Sequence, residues 1–366
     1  MKSAHFLIPG DPDRRTGGTI YDRRIMAGLE HLGWRIELHS LDAAFPMPTP
    51  AARHEAHAVL AALPDQALTI IDGLALGAMP EVVAAHRERL RLVGLVHHPL
   101  ALETGLHEAQ RQQLFASERE ALRSVRQVIV TSPSTVRALA DYAITPEQCA
   151  VVLPGTDPAP LAVGSSGDEL VLLCAASLTP RKGHAVLLQA LAQLRKSDAD
   201  SPRPMGEGLG VRVAWRLRCA GSDAYDPATA TALRKQIEDL GLIDRVDWLG
   251  ELETADLQTA YQQADGFVLP SFHEGYGMVL AEALARGLPI ISTTAGAIPD
   301  TVPADAGLLV PPGDATALAE ALARFMEEPG LRERLAAGAR SARLTLPDWL
   351  TVSAQFAEVL EAVAAR

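Results

Sequence analysis

The segment that decides the fold is LPSFHEGYGMVLAEALARGLPII, residues 269–291. The apolar run Gly266–Leu269 leads into a loop carrying Glu274, an apolar stretch with helical periodicity follows, and a second apolar run begins at Pro289. Short apolar runs predict buried strands, and the periodic stretch between them predicts a helix. A strand, loop, helix, strand unit of this kind is typical of a parallel sheet wound with helices.

The same alternation continues along the chain, which predicts twelve strands in two groups of six. The Pro-, Gly- and Ser-rich stretch 153–169 separates the groups, as an interdomain linker would. We therefore expect an α/β protein with an N-terminal Rossmann-like domain, residues 1–160, and a C-terminal one, residues 161–347. The predicted strands lie near residues 4–8, 35–38, 68–71, 92–96, 128–130, 150–152, 170–175, 216–220, 246–249, 266–269, 289–292 and 308–310.

Two further segments carry structural predictions. The last helix, within residues 348–366, follows a break at Pro347, and we expect it to cross back to the N-terminal domain. Residues 197–210, SDADSPRPMGEGLG, offer little to pack and are interpreted as a flexible insertion.

Composition and charge narrow the class of partner. The chain of 366 residues is 48% hydrophobic and carries a formal net charge of -12, which argues against nucleic acid as its main partner. The sequence has no apolar run of membrane-spanning length, and charge and proline interrupt its start, so we expect a cytoplasmic protein. Basic groups such as Arg14-Arg15 and Arg23-Arg24 leave open a peripheral contact with anionic lipid.

The densest candidate site lies in the opening segment. Gly277, Met278 and Val279 begin the predicted helix, where a close backbone and the helix dipole favour an anion such as a phosphate. Glu274 and Glu282 are eight residues apart, so a continuous helix would place them about 12 Å apart. A hydrolase carboxylate pair needs about 5–9.5 Å, so two ends of one elongated ligand fit better. The alternative is that Glu282 is an exposed helix residue.

A second candidate segment is AASLTPRKGHAVLLQAL, residues 175–191. Arg181 and Lys182 lie between a predicted strand and an amphipathic helix, where two cations and a helix N-terminus converge. Such a site would stabilise the negative charge of a departing phosphate. By themselves, however, the two residues could be an ordinary surface pair.

Three weaker signals follow strands of the first half. Gly17 and Gly18 stand in a strand-to-helix turn, which many folds use. His97 and His98 end another strand, where a histidine is more often a core or surface residue than a catalytic one. Asp72 follows a third strand and is a lesser candidate for the acceptor side of a site, where the molecule that receives a transferred group would bind.

Together these segments resemble the retaining glycosyltransferases of family 4, which have the GT-B fold of two Rossmann-like domains facing across a cleft. The resemblance rests on the Glu, seven residues, Glu signature within EGYGMVLAEAL followed by GLPII. The Gly-Gly loop, the histidine strand, the Arg-Lys turn, VDWLGEL and AGLLVPPGDATALAEAL occur in the family's order over nearly the whole chain.

The resemblance implies a role for each donor-side residue. Glu274 would hold the donor sugar's hydroxyls, and Glu282 would bind the ribose hydroxyls. Arg181 and Lys182 would contact the donor diphosphate.

The resemblance also extends to the N-terminal domain. There, Gly18 would face the donor diphosphate. His98 fits the family's His, any residue, aliphatic pattern better than His97, and would line the reaction centre.

The implied reaction transfers a sugar from a UDP- or GDP-type donor to an acceptor hydroxyl with retention of configuration. In the front-face mechanism usually proposed for such enzymes, the departing phosphate accepts the acceptor's proton. The acceptor would be a small molecule, a glycan or a lipid, and no cofactor or metal is expected. Asp11-Pro12-Asp13 has a metal-binding spacing, but it is interpreted as a polar loop.

Two alternatives remain open from the sequence, since a fold does not fix a function. One is a nucleotide-sugar epimerase or hydrolase on the same scaffold, which would act without an acceptor. The other is a non-catalytic nucleotide-sugar-binding module.

Overall fold

A computed structural model describes residues 2–167, 169–195 and 213–366 of the chain. It divides the chain into two compact units, one of residues 1–155 together with 347–366 and the other of residues 156–346. The insertion predicted at 197–210 lies outside the described residues.

The first unit contains a six-stranded parallel sheet. In chain order from one to six, its strands lie in the order 2-1-3-4-5-6, which makes the second strand an edge. This is the doubly wound arrangement of flavodoxin-like sheets, whose order reverses between the first and third strands. The strands are β1 (Ser3–Pro9), β2 (Arg35–Leu41), β3 (Leu68–Asp72), β4 (Arg91–Val96), β5 (Gln127–Val130) and β6 (Cys149–Val151).

Helices connect these strands, and side-chain caps fix where several of them begin. Thr16 accepts a hydrogen bond from the N–H of Thr19, and Thr49 accepts one from the N–H of Ala52, each satisfying an amide that the helix leaves unpaired. The helices are α1 (Gly17–His31), α2 (Pro50–Ala62), α3 (Gly73–Leu76), α4 (Pro80–His86), α5 (Glu108–Leu122) and α6 (Pro133–Leu139).

The second unit contains another six-stranded parallel sheet. Numbered within the unit, its strands lie in the order 6-5-4-1-2-3, which is the Rossmann order. The strands are β7 (Leu170–Ala175), β8 (Trp215–Ala220), β9 (Val246–Gly250), β10 (Gly266–Leu269), β11 (Ile290–Thr293) and β12 (Gly307–Val310).

The second unit also buries an apolar core on its sheet, and helices cover that core. Leu172, Phe267 and Ile290 in the strands and Leu322 and Phe325 in a covering helix are fully buried there. The helices are α7 (His184–Arg195), α8 (Pro227–Asp239), α9 (Thr254–Gln262), α10 (Met278–Ala285), α11 (Ile298–Thr301), α12 (Ala315–Glu327) and α13 (Pro329–Ala342).

The last helix, α14 (Trp349–Ala365), returns to the first unit. Asp348 caps it by accepting a hydrogen bond from the N–H of Thr351 at 2.7 Å. Phe356 stacks on Phe6 of β1 with ring centroids 6.1 Å apart. The fold class predicted from the sequence, including this returning helix, is confirmed.

The boundary between the units differs from the expected one by a few residues. The sequence predicts the boundary after residue 160, whereas the second unit begins at residue 156. Ala159 accepts a hydrogen bond from Arg343, and the N–H of Ala162 bonds to the carbonyl of Arg286, so this stretch is tied to the second unit. The N–H of Val152, by contrast, bonds to Val130 of the first.

All twelve predicted strands are present, with ends that agree to within a few residues. The three cysteines are free thiols, and Cys174 and Cys219 are buried. Among the helices of the described ranges, none has the length and apolar character required to cross a bilayer.

Candidate functional site

The second sheet brings the Arg-Lys turn and the glutamate loop to the same place. Its strand order reverses between β7 and β10, which are hydrogen-bonded neighbours. Arg181 and Lys182 follow β7 on a 3-10 turn, and Glu274 follows β10. Ligands of open α/β sheets bind beyond the carboxyl ends of the strands at such a reversal. The topology therefore selects these two loops as the candidate donor site.

Side chains from the two loops form a buried polar cluster. Lys182 Nζ donates to Glu274 Oε1 at 2.7 Å, and Ser271 Oγ donates to the same oxygen at 2.6 Å. Arg181 Nη1 lies 3.8 Å from Glu274 Oε2 and donates to the carbonyl of His273 at 2.9 Å. The Glu274 side chain is only 7% exposed, whereas Lys182 and Arg181 are 15% and 22% exposed. The cations are therefore the part of the cluster that is more open to solvent.

The environment keeps Glu274 ionised. Burial by itself raises the pKa of this carboxyl group, but the charges of Lys182 and Arg181, together with hydrogen bonds from Lys182 and Ser271, outweigh burial and lower the pKa below its usual range. With Glu274 negative and two cations beside it, these three side chains carry a net charge of about +1 at neutral pH. Such a cluster favours an anionic ligand.

Gly183 allows the Arg-Lys turn to lie against β10. Its φ of +73° is in the left-handed region, and a Cβ at this position would lie 2.0 Å from the carbonyl oxygen of Pro270. Any other residue would force the turn away from the strand end. The glycine therefore holds Lys182 within reach of Glu274.

The glutamate segment does not form one continuous helix. Gly277 is the N-cap of α10, and Met278 and Val279 are its first residues, so Glu274 lies in the preceding loop. The helical spacing of about 12 Å expected between Glu274 and Glu282 therefore does not apply. Gly277 has no side chain to cap the helix, and the amide groups of the first turn of α10 offer donors to an anion.

Glu282 is a partly buried residue of α10 whose carboxylate is oriented by a neighbour. Tyr261, fully buried in α9, donates its hydroxyl to Glu282 Oε2 at 3.1 Å. Arg286 lies over the Tyr261 ring, 4.3 Å from its centroid, and donates to the backbone carbonyl of Glu282. The interpretation of Glu282 as a merely exposed residue is therefore wrong.

The first unit gathers a second polar cluster, again at the reversal of its sheet. Its strand order reverses between β1 and β3. Gly17 and Gly18 follow β1, Asp72 ends β3, and His97 follows β4. Asp72 is buried and caps α3 by accepting a hydrogen bond from the N–H of Leu74. Asp72 therefore has a structural role as the cap of α3 in addition to its candidate role on the acceptor side.

His97 is held by two buried carboxylates. Its Nε2 lies 3.1 Å from Asp22 Oδ1 and 3.4 Å from Asp72 Oδ2. Burial by itself lowers the pKa of His97, but the charge and hydrogen bond of Asp22, with those of Asp72, raise the pKa to about 10. Burial raises the pKa of Asp22, and His97 opposes that shift. At neutral pH His97 is therefore an imidazolium, able to donate hydrogen bonds but not to accept a proton.

His98, the residue preferred from the sequence, lies elsewhere. Its Nε2 is 3.4 Å from Glu103 Oε2, whereas the contacts given for Asp22 and Asp72 are those of His97. Both histidines follow the end of β4, where strand alternation no longer decides which one points to the cluster. Of the two histidines, His97 is therefore the one that contacts Asp22 and Asp72, and the role predicted for His98 stays a prediction.

The two glycines of the N-terminal loop differ in what surrounds them. A Cβ on Gly18 would lie 3.1 Å from Cδ2 of His97, closer than a normal contact. A Cβ on Gly17 would meet nothing within 4 Å. Gly18 is thus the one that the histidine cluster requires to be small.

Sequence reasoning missed Asp22, Ser271 and Tyr261. Asp22 stands four residues after Gly18 in α1, hence on the same face, and a carboxylate among the apolar residues of that face was a usable signal. Nothing in the sequence marks Ser271 or Tyr261, because common hydroxyl residues gain a role only from what they touch.

Two clusters in the described part of the chain have ligand atoms close enough to hold a metal ion. One is Asp22, Asp72 and His97, in which the charge of the imidazolium accounts for the contacts. The other is His5, Glu37 and His39, near the start of β1 and on β2. Neither includes a residue of the Glu274 cluster.

Comparison with solved structures establishes the class of protein as the two-domain GT-B fold. The chain is similar to sucrose-phosphate synthase from Thermosynechococcus elongatus, with a TM-score of 0.79 at 22% identity over 99% of both chains. It is also similar to HepE from Anabaena, solved in complex with UDP and glucose, with a TM-score of 0.75 at 19% identity over 98% of this chain and 100% of that one.

Sequence comparison supplies the family. Residues 161–342 match the family model "Glycosyl transferases group 1", and the second unit of the chain therefore belongs to that family. An MMP alpha-(1->4)-mannosyltransferase from Mycolicibacterium hassiacum is 29% identical over 65% of this chain and 54% of its own length. A D-inositol 3-phosphate glycosyltransferase from Saccharomonospora viridis is 32% identical over 59% and 50%. The matched region thus spans about half the length of these relatives.

Proposed function

We propose that the chain is a retaining glycosyltransferase of family 4, transferring a sugar from a UDP- or GDP-type donor to an acceptor hydroxyl. The observation that carries the proposal is the convergence of Arg181, Lys182 and ionised Glu274 at the reversal of a Rossmann sheet. The names of the mannosyltransferase and glycosyltransferase relatives support it, as does the UDP bound by HepE.

Arg181 and Lys182 are proposed to bind the donor diphosphate. Cleavage of the glycosidic bond builds negative charge on the leaving phosphate, and preorganised cations stabilise that charge without further rearrangement. The backbone amides of Met278 and Val279, with Gly277 before them, add the favourable end of a helix dipole. Because side chains supply the positive charge, we propose a transfer that requires no metal and no cofactor.

The two glutamates are proposed to grip the ends of the donor. Glu274 Oε1 already accepts hydrogen bonds from Lys182 and Ser271, while an ionised carboxylate has about four acceptor positions, enough to take a sugar hydroxyl as well. Glu282, oriented by Tyr261, is proposed to accept hydrogen bonds from the ribose hydroxyls.

The first unit is proposed to serve the acceptor. His97 as an imidazolium donates hydrogen bonds and cannot serve as the general base, which agrees with a front-face mechanism in which the leaving phosphate takes the acceptor's proton. Asp72 is proposed to orient His97, and the backbone N–H groups around Gly17 and Gly18, at the start of α1, are proposed to bind an anionic group.

The partners proposed for the chain are a nucleotide-sugar donor and a small-molecule, glycan or lipid acceptor. Nucleic acid is not among them, because the net charge is -12. We propose a cytoplasmic enzyme with at most a peripheral contact to the membrane surface.

The test measures nucleoside diphosphate release and product formation from UDP- and GDP-sugars, with and without a panel of hydroxyl acceptors. We expect release that depends on an acceptor, and a product whose anomeric configuration by NMR matches that of the donor. Steady turnover of the sugar nucleotide without any acceptor would instead identify a hydrolase or epimerase. An inverted product would refute the retaining mechanism.

A pair of lysine variants tests the donor site itself. Lys182→Ala should lower kcat/KM about 100-fold or more, the usual cost of removing one group that stabilises transition-state charge. Lys235→Ala is the matched control, because Lys235 is exposed on α8 and pairs with Asp239 of the same helix. Binding of UDP and GDP by calorimetry, with circular dichroism of both variants, separates loss of the site from loss of the fold. Equal activity of the two variants would remove Lys182 from its role.

A further inference from the structure

The second cluster with metal-binding potential lies on the sheet of the first unit, away from the strand ends that carry Gly18 and His97. Glu37 and His39 are two residues apart on β2, so the strand presents both on one face. His5 of β1 pairs in register with Glu37 across the parallel ladder. Two histidines and one carboxylate thus meet on a single sheet face.

The three ligand atoms are already close together. His5 Nδ1 lies 3.1 Å from His39 Nε2 and 3.4 Å from Glu37 Oε2, and all three atoms lie within 4.8 Å of one another. Tetrahedral Zn²⁺, with ligands at about 2.0–2.1 Å, holds its ligand atoms about 3.3 Å apart. The two measured distances from His5 agree with that spacing. Glu37 and His39 are only partly buried, which leaves them room to adjust.

Hydrogen bonds alone do not satisfy all three of these atoms. His5 Nδ1 carries either one hydrogen or one lone pair, yet it faces both a second imidazole nitrogen and a carboxylate oxygen. A single proton cannot make a good bond to both neighbours. A cation placed between the three atoms would be bound by all of them, and the carboxylate would offset part of its charge.

The surroundings also fit a metal site. Arg35 Nη2 lies 2.8 Å from Glu37 Oε1, which leaves Oε2 directed at His5, and outer contacts of this kind orient metal ligands. Imidazole nitrogens favour zinc and similar transition ions over Mg²⁺ or Ca²⁺.

We propose that His5, Glu37 and His39 bind one Zn²⁺ ion, with water completing its coordination. The ion would tie the edge strand β2 to β1, the strand with which it pairs, and so stabilise the exposed edge of the first sheet. The proposal is independent of the glycosyltransferase reaction, because none of the three residues belongs to either cluster assigned to transfer.

The chain contains a matched control for this idea. His57 Nδ1 and His86 Nε2 lie 3.2 Å apart, the same kind of imidazole contact, but their neighbour is Arg89, whose Nη2 is 3.4 Å from His86 Nδ1. Arg35 contacts the carboxylate of Glu37, whereas Arg89 contacts the imidazole itself, and a guanidinium in that position should repel a metal ion. If the carboxylate is required for metal binding, Zn²⁺ should not bind to His57 and His86.

Calorimetric titration of the EDTA-dialysed full chain with ZnCl₂ tests the proposal. We expect one equivalent of Zn²⁺ to bind the unsubstituted protein. Loss of an outer partner of a metal site usually costs about 10–100-fold in affinity, so loss of a direct ligand in His39→Ala or Glu37→Gln should cost about 100-fold or more. His57→Ala should bind Zn²⁺ like the unsubstituted chain. His5 is left intact because it is buried.

A spectroscopic measurement reports on coordination directly. Co²⁺ added to the unsubstituted chain and to His57→Ala should give the visible absorption of a tetrahedral site, and Glu37→Gln should not. The proposal is overturned if the unsubstituted chain shows no saturable 1:1 binding. It is equally overturned if Glu37→Gln and His39→Ala bind with full affinity, or if His57→Ala loses binding to the same extent.

Discussion

Replacing Asp22 by Asn should return His97 towards the titration of an ordinary histidine. The pKa of His97 is raised from about 6.5 to about 10, a difference that corresponds to about 5 kcal/mol at about 1.4 kcal/mol per pKa unit. Asp22 supplies the shorter of the two contacts, at 3.1 Å, and a carboxylate at this range shifts a neighbour's pKa by about 1–3. In Asp22→Asn we therefore expect the His97 pKa to fall to between about 7 and 9.

The change is read by NMR titration of the imidazole Cε1–H signals between about pH 5.5 and 10.5. His97→Gln assigns the signal by removing it, and Asp13→Asn controls for loss of an exposed carboxylate, since Asp13 pairs with Arg23 on the surface. A His97 signal that titrates at the same pH in Asp22→Asn and in the unsubstituted chain would refute the reasoning. So would a pKa near 6.5 in the unsubstituted chain.

The same shift has a consequence for stability. Because the folded pKa of His97 is raised, the stability tied to its charge is fully present below about pH 6.5 and is lost as the pH rises through about 10. In Asp22→Asn this loss should occur at lower pH. Chemical unfolding of the two proteins at a series of pH values between about 6 and 10 measures the difference.

Three further variants test one glycine of the first unit and two residues of the Glu274 cluster and its turn. Gly18→Ala should lower kcat/KM about 3–10-fold, because the new Cβ would lie 3.1 Å from Cδ2 of His97 and push that imidazole aside, and small misplacements of a reacting group are costly. Gly17→Ala should have little effect in the same kinetic assay, because its new Cβ meets nothing within 4 Å. Gly183→Ala should lower the unfolding free energy by more than about 2 kcal/mol, because φ is +73° there and the new Cβ would lie 2.0 Å from a backbone carbonyl oxygen. Gly250→Ala is its control, with φ of +69° and nothing within 4 Å of the new Cβ, and should lower it by only about 1 kcal/mol. Denaturant unfolding measures both values. Glu274→Gln should lower the unfolding free energy at neutral pH by about 1.5–3 kcal/mol, because it removes the charge from the hydrogen bond that Lys182 Nζ donates to Glu274 Oε1 at 2.7 Å. The pKa of Glu274 is lower in the folded state than in the unfolded chain. Its contribution to stability is therefore fully present above about pH 4.3 and is lost as the pH falls through the folded-state pKa. The difference in unfolding free energy between the variant and the unsubstituted chain should consequently disappear in acid.

Each of these expectations has a result that contradicts it. Equal kinetics for the two alanine variants of the N-terminal loop would show that the contact with His97 is not needed for turnover. Similar stability of the Gly183 and Gly250 variants would mean that the close approach to β10 relaxes freely. A Glu274→Gln protein whose stability deficit does not change between neutral and acid pH would place the effect of that residue outside its charge.

Much of the fold is encoded in short-range sequence patterns. Apolar runs of about three to six residues bounded by turn residues located all twelve strands, because a parallel sheet covered on both faces requires such runs. Glu274, Arg181 and Lys182 were found for a related reason. They stand directly after predicted strands, where an α/β sheet binds its ligands, and their motifs resemble a known family.

Contacts between distant residues could not be derived in this way. Lys182 and Glu274 are 92 positions apart and meet because β7 and β10 are neighbours at the reversal of the sheet. His97 and Asp22, separated by 75 positions, meet where the loop after β4 reaches α1. The sequence offered two adjacent histidines, and the loop after β4 decided between them.

The sequence by itself thus determined the strands, the helices and the residue types available for binding an anionic donor. Tertiary structure decided which polar groups share a buried space, and hence which are charged. The physical reason is that secondary structure follows from local periodicity, whereas the pKa of His97 and the ligand geometry of His5, Glu37 and His39 depend on atoms within about 4 Å that strand order brings together.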